Sequence, residues 1–409
     1  MKILNEKNKT IVILNHSSSK NLGDQSLICS TIDLIKNINQ DFIIYIFSLD
    51  YNNEIKIQKD ILKYKNVNVI KSFIRQPSKK LGFINMFFEN LFLVIFSFFP
   101  NIFFNFLPKY LKYKIRIIKN AHLVIVRGGD NFSSIYGLKS FLSNFLPVYY
   151  VRNIKIKKIF LSHTLGPFNK FYQILFNYIF KSIDFFYIRD KYSYGNIPSH
   201  KNKIKLFPDI AFILKKETID IKDYIKPEKM NIGFVTSGLV HRYLNLSYKD
   251  YIEQSTSFLK KISSNKNINI ILIPHVTRKE DSDFKVAMDI KNGLVNNNIF
   301  LFSTKNCKKM KYFISNLDLL ISARMHPQIH AISSKVPVIG IDYNNKTKSL
   351  FEYWNIKELL ITKQAAKKQL CIEMLNKFDY FRANETEIKK KFDNFCIEDI
   401  YNKYKIIFD

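Results

Sequence analysis

The stretch LDLLISARMHPQIHAISSKVPVIGIDYNNKTKSLFEYW, residues 317–354, decides the fold. Its apolar opening runs as a strand into Arg324 and His326. Pro327 suits the first turn of a helix, where its missing N–H costs no hydrogen bond. That helix is predicted to end near Ser334-Lys335, and Pro337 opens the next strand. Arg324 and His326 therefore fall at a helix N-terminus, where backbone N–H groups and the dipole favour an anion. Arginine adds two-pronged geometry for carboxylate or phosphate, and histidine can carry a proton near neutral pH. Lys346 and Lys348 follow the second strand and could complete a cationic pocket.

The same alternation extends through the chain, the signature of βαβ units and parallel sheets. Strands are predicted at residues 10–15, 42–48, 67–71, 123–127, 158–163 and 185–189. A second series is predicted at 231–236, 269–274, 298–303, 317–322 and 337–342. Between them, 215–229 (KKETIDIKDYIKPEK) is polar, contains proline and shows no strand pattern, as a linker does. The expected fold is α/β, with two Rossmann-like domains facing a cleft. The expected bounds are 1–215 for the first domain, 230–360 for the second and 361–409 for closing helices. Ligands of such folds bind at the carboxyl edges of the strands.

Composition narrows the function classes. The 409 residues include 64 Lys+Arg against 34 Asp+Glu, a formal charge of +30. Only nine of the 64 are arginine, and 37 Phe and 23 Tyr accompany abundant Asn and Ile, as a coding bias toward A and T would produce. Bias and attraction to an anionic partner both remain open as sources of the charge. No recognised nucleic-acid module or basic helix appears, so nucleic acid is not expected as a partner. Most of the lysines read as a solvated surface. Cys29, Cys307, Cys371 and Cys396 lie far apart, without the spacing of a disulfide framework or a zinc site. The apolar run 11–14 is too short for a signal-peptide core, which favours the cytoplasm.

Residues 90–108, NLFLVIFSFFPNIFFNFLP, depart from this soluble pattern. The run is uncharged and borderline in length for a span, and Pro100, Asn101 and Asn105 argue against a clean one. Lysines 79, 80, 109, 112, 114 and 119 and Arg116 flank it. A helical insertion at 79–119 lying in a membrane interface is the favoured expectation, making the protein peripheral on the inner membrane face. A buried hairpin or a subunit interface is the alternative.

The remaining motifs each follow a predicted strand. In NHSSSKNLGDQSL, Asn21 and Asp24 precede an apolar-periodic helix, so Asp24 serves either as its cap or as a ligand for sugar hydroxyls. RGGDNF places Gly128, Gly129 and Asp130 after Arg127, with backbone exposed for close ligand approach. It lacks the spacing of a dinucleotide or Walker motif. His163 ends a strand in SHTLGPF, Arg189 ends one in YIRDKYS, and Asp209 lies in PDIAF. For the Arg189-Asp190 dipeptide, ion pairing is favoured over catalysis. IPHVTRKEDSD offers His275, Arg278 and the acids Glu280, Asp281 and Asp283. His326 and His330 stand four apart, but Pro327 occupies the place of the protease glutamate and no third ligand is near. No metal is expected, and His330 is expected to pack between helix and sheet. Four of the nine arginines (127, 189, 278 and 324) sit in these loops. Lysine lacks their planar fork.

Taken together, NLGDQSL, RGGDNF, SHTLGPF, YIRDKYS, PDIAF and SARMHPQIHAISSKVPVIGIDYNNK resemble the polysaccharide pyruvyl transferase family, over roughly residues 14–354. The resemblance implies a GT-B-like fold. It also implies transfer of pyruvate from phosphoenolpyruvate to two sugar hydroxyls as a cyclic ketal, in surface polysaccharide or capsule biosynthesis and without a cofactor. A lipid-linked glycan is the expected acceptor. Carried over by motif, Arg324 binds the donor anion and His326 is the acid/base, with Lys346, His275 and Arg278 on the donor side. Asn21, Asp24, Gly128, Gly129, Asp130, His163, Arg189 and Asp209 fall to the acceptor or the cleft wall. The family often has glycine where Asp130 stands and a Gln-containing motif at Ser162-His163, so the acceptor side departs most. Two other functions compete: a glycosyltransferase using a nucleotide sugar, with Glu352 as ribose ligand, and a non-catalytic carbohydrate or membrane scaffold.

Overall fold

The computed structural model describes residues 9–57, 64–74, 80–197, 201–276, 282–294, 299–343 and 346–408. The chain forms two compact units. Unit 1 holds the residues up to Ser19 with Thr31–Asp209, and unit 2 holds Lys20–Ser30 with Ile210–Ile407.

Unit 1 contains β1 (Thr10–His16), β2 (Ile43–Ser48), β3 (Val67–Lys71), β4 (Leu123–Val126), β5 (Lys157–His163), β6 (Phe185–Ile188) and β7 (Ile204–Leu206). They form one parallel sheet in the order β3-β2-β1-β4-β5-β6-β7. Its helices are α1 (Leu22–Ile38), α2 (Tyr51–Ile57), α3 (Lys80–Phe98), α4 (Lys109–Lys119), α5 (Gly137–Tyr150), α6 (Lys170–Phe180) and α7 (Tyr192–Gly195). The start of α1, up to Ser30, belongs to unit 2.

Unit 2 contains β8 (Met230–Thr236), β9 (Ile268–Pro274), β10 (Ile299–Leu301), β11 (Leu319–Ser322), β12 (Val338–Ile341) and β13 (Leu360–Ile361), ordered β10-β9-β8-β11-β12-β13 and again all parallel. Around it lie α8 (Val240–Leu244), α9 (Tyr248–Ser263), α10 (Asp283–Asn292), α11 (Cys307–Ile314), α12 (Met325–Ile332) and α13 (Lys346–Tyr353). The chain finishes with α14 (Lys363–Ala383), α15 (Glu385–Asp393) and α16 (Ile397–Lys405). Both sheets have the Rossmann order, in which the winding reverses between the first and fourth strands and a ligand site opens beyond their carboxyl ends. Here those pairs are β1/β4 and β8/β11.

The central strands are buried on both faces, which is why they read as continuous Ile/Val/Leu runs rather than as alternating patterns. Every predicted strand is present. Two edge strands, β7 and β13, are additional; at three and two residues they are too short to carry a pattern. Residues 215–229 form no helix or strand.

The lysines are not all solvated. Lys36, Lys114, Lys158 and Lys311 are buried, and each delivers its ammonium to backbone carbonyls. Lys36 reaches Gln40 and Phe42, Lys114 reaches Ser72, Lys158 reaches Ile154 and Ile156, and Lys311 reaches Phe212. A long apolar stem with a polar tip lets such a side chain cap a carbonyl from inside the core.

In the apolar segment, α3 stops at Phe98, two residues before Pro100. A 3-10 turn, Phe103–Phe106, leads to α4, whose Leu111, Ile115 and Ile118 enter the core. No described helix is long and apolar enough to cross a membrane.

Candidate active site

In unit 2, the turn after β11 places Arg324 just before α12, with Ser322 tying the bend. Its hydroxyl accepts from the Arg324 N–H and donates to the Arg324 carbonyl, both at 3.0 Å. Arg324 is the N-cap residue, so Met325, His326 and Pro327 make the first turn, at the positive end of the dipole.

The Arg324 guanidinium donates to Asp283 Oδ1 at 2.5 Å. Asp283 is fully buried, and it also accepts from the N–H groups of Gly238 (2.9 Å), Val276 (2.8 Å) and His275 (3.2 Å). One carboxylate thus ties together the loops after β8, β9 and β11 and fixes the direction of the arginine. His275, buried at the end of β9, is held well below the usual imidazole range by burial, then by the charges of His326 and Arg324. His330 is lowered likewise by burial, then by Lys311, His275 and His326. Tyr343 lies within the field of Arg324 and Asp283, and burial raises its hydroxyl. Lys346 opens α13 three residues later, where burial lowers its ammonium to about 7.

The start of α1 joins this cluster. Asn21 pairs with Val276 in an isolated antiparallel bridge, and its side chain accepts from the Gly23 N–H at 2.9 Å. The cap is therefore Asn21 rather than Asp24, because the amide one residue before the helix reaches the N–H two residues on. Asp24 lies in the first turn, where a carboxylate suits the dipole. At Gly23 there is no room for a side chain, since a Cβ would run into the His326 ring. Gln25 bridges the loop before α11, donating to the Lys305 carbonyl at 3.0 Å and accepting from the Cys307 N–H at 2.5 Å. Ser26 Oγ lies 3.0 Å from His330 Nε2, which packs His330 inside the helix–sheet layer.

The NLGDQS and SARMHPQIH motifs are thus two sides of one constellation, cationic at Arg324 and histidine-rich beside a helix start. The sequence profile of polysaccharide pyruvyl transferases matches residues 21–345, a span that includes both motifs. The chain belongs to the polysaccharide pyruvyl transferase family. No curated protein matches it significantly in sequence. Among solved structures, UDP-GlcNAc 2-epimerase from Neisseria meningitidis bound to UDP-GlcNAc is similar at TM-score 0.61 and 12% identity, covering 97% of each chain. UDP-GlcNAc 2-epimerase from Methanocaldococcus jannaschii gives 0.56 at 12%, over 89% of this chain and 91% of its own. WaaG, a glycosyltransferase involved in lipopolysaccharide biosynthesis, gives 0.52 at 11%, over 97% and 99%. At such identities the likeness is of fold, and that fold is of the GT-B type.

Most of the transferase's other predicted site residues lie in unit 1. Arg278 falls outside the described residues, as do Glu280 and Asp281. Glu352 sits on α13, 3.6 Å from Lys357. Gly128 runs so close to β5 that a Cβ would strike the Leu161 and Ser162 carbonyls. Gly129 continues this contact, donating to the Ser162 carbonyl and accepting from the Thr164 N–H. Asp130 accepts from the Tyr136 hydroxyl. His163 is buried between Phe132 and Phe160 with Nε2 3.2 Å from the Val126 carbonyl, and burial lowers it to about 3. Arg189 and Asp209 form a buried 2.6 Å ion pair, which Thr164 extends to Asp190.

Gln25 and Ser26 are the residues that sequence reasoning missed; Asp283 and Gly23 stood in the quoted motifs without their contacts being foreseen. The signal available was the run of polar residues 24–26 inside an otherwise apolar helix start. A second missed cluster is in unit 1, where His16 Nε2 meets Glu54 at 2.8 Å and Ser19 Oγ donates to the same carboxylate at 2.8 Å, all buried.

Proposed function

We propose that this transferase takes its pyruvyl group from phosphoenolpyruvate and forms a cyclic ketal on two hydroxyls of a sugar, in a surface polysaccharide or its lipid-linked precursor. The observation that carries the reading is Arg324, fixed by Asp283 at the head of α12 and followed two residues later by His326 against the first turn of α1. The donor carries a phosphate and a carboxylate, and a guanidinium, a helix N-terminus and the Lys346 amine are the groups that hold such a molecule.

In the proposed reaction, the His326 imidazolium protonates the methylene carbon, which becomes the methyl group. A sugar hydroxyl attacks the central carbon and loses its proton to a base. The bond from that carbon to the phosphate oxygen then breaks, inorganic phosphate leaves, and the second hydroxyl adds with loss of its proton. Arg324 and Lys346 would stabilise the charge that shifts onto the departing phosphate. Asp24 and the deprotonated His326 are the candidates for the base. His163, lowered to about 3 and boxed in by phenyl rings, is the weaker one.

Ligand-dependent thermal stabilisation tests the donor. Phosphoenolpyruvate at about 100 times its Kd adds about 2.7 kcal/mol of stability, whereas UDP-GlcNAc adds none. A shift with UDP-GlcNAc alone would replace this reading by a nucleotide-sugar glycosyltransferase. A shift with neither would favour the scaffold.

A further inference from the structure

Among the described residues, eight of the twenty-one large apolar side chains that stand exposed fall between Phe88 and Tyr113. Phe92, Phe98, Phe99, Ile102 and Phe106 are 44% to 71% open to solvent. Their support is firm. Leu93, Phe96, Leu107 and Leu111 are core, the Tyr150 hydroxyl donates to Asn90 at 2.5 Å, and Asn153 donates to the Ser97 carbonyl at 2.7 Å. Aromatic rings held out on a rigid base mark an interaction surface.

Charge identifies the partner. Residues 90–119 contain five Lys and Arg and no Asp or Glu. The cations interleave with the rings: Arg116 and Lys119 lie 5.7 and 4.6 Å from the Phe104 centroid, and Arg152 lies 4.7 Å from that of Phe98. Next to Phe98, Arg152, Lys155 and Lys157 help to line an open basin of about 460 Å³, with Asp184 on its wall. A two-fold contact with a second copy would set these cationic rims against each other. An anionic lipid surface neutralises them.

We propose that this face of unit 1 is a seat for the interfacial zone of an anionic bilayer. Phe98, Phe99, Ile102 and Phe106 enter the headgroup–acyl boundary, and Lys109, Lys112, Arg116 and Lys119 meet lipid phosphates. The seat does not depend on which donor the enzyme uses.

Flotation with vesicles of phosphatidylglycerol and phosphatidylcholine, against vesicles of phosphatidylcholine alone, tests it on the full chain. The wild type floats with the anionic vesicles and is partly released by salt. The double variant F99E/F106E partitions at least about tenfold less, a loss of about 1.4 kcal/mol, with unchanged thermal unfolding. K109E/K112E gives a similar loss on anionic vesicles alone, and F106E alone serves if the double variant folds poorly. Wild-type protein that binds neither vesicle overturns the proposal, as does binding indifferent to all three variants. So does a wild-type dimer, seen by light scattering, that F99E/F106E makes monomeric without any vesicle binding.

Discussion

Arg127 and Arg324 occupy equivalent places in two sheets of the same strand order, each just beyond the carboxyl end of the strand where the winding reverses. Their surroundings differ. Arg127 is 1% exposed, and its guanidinium donates to the Asn15 carbonyl at 3.3 Å and to Ser17 Oγ at 3.2 Å, neutral groups at the end of β1. The Arg324 side chain is 12% exposed, is aligned by a buried carboxylate and stands at the head of a helix. The topology opens the same gap twice. In unit 1 the arginine closes it by stitching two loops together, and in unit 2 the arginine is steadied with an edge left toward solvent. A planar fork is useful in both places, so arginine in a lysine-rich chain marks a need for geometry before it marks a substrate site.

The sharpest break of this comparison is a pair of variants. His326→Ala lowers the rate of phosphate release from phosphoenolpyruvate by about 10²- to 10⁴-fold, the usual worth of a general acid, and leaves unfolding unchanged. Arg127→Met takes the guanidinium from the buried Asn15 carbonyl and destabilises the protein by about 2–4 kcal/mol, with near-normal turnover per folded molecule. Phosphate-release assays and urea unfolding on both variants decide the matter. If Arg127→Met abolished turnover at full stability, the two switch points would share the chemistry.

A smaller effect is expected at Gly23. Alanine there must displace the His326 ring, and a catalytic group moved by about an ångström loses on the order of 10²-fold in rate. The fall should appear in kcat rather than in KM for the donor. An unchanged kcat would separate the α1 start from the chemistry.

The strands were legible because parallel sheets bury both faces and write themselves as apolar runs. Arg324, His326 and Pro327 were legible because a proline just inside a helix start fixes what precedes it. What the residues did not announce was pairing at a distance. Asp283 stood among three acids of equal promise, and nothing local says that this one collects donors from three loops. Gly23 looked like part of a turn, whereas its reason lies about 300 residues away in the His326 ring. Asn21 took the cap expected of Asp24 because capping depends on where the helix begins, and boundaries are the softest part of a periodic pattern.

Buried lysines give the finest version of the comparison. In unit 1, Lys36 and Lys158 each reach two backbone carbonyls and Lys114 reaches that of Ser72, whereas Lys311 in unit 2 reaches that of Phe212 at 2.9 Å. Burial, then the charge of Lys216, lowers Lys311 from 10.5 to about 7. The unfolded chain therefore binds more protons than the folded one between these values, so the contribution of Lys311 to stability rises with pH from about 7 to 10.5 and is fully unfavourable below 7. Lys311→Met keeps the volume and removes the charge. It should raise stability at neutral pH by on the order of 2 kcal/mol, after allowing for the donor that the Phe212 carbonyl loses. The difference from wild type should shrink as pH approaches 10.5. Urea unfolding across that range measures it. A variant no more stable than wild type at pH 7 would mean that the ammonium is held by more than one carbonyl and that Lys311 is sheltered as well as Lys36 and Lys158 are.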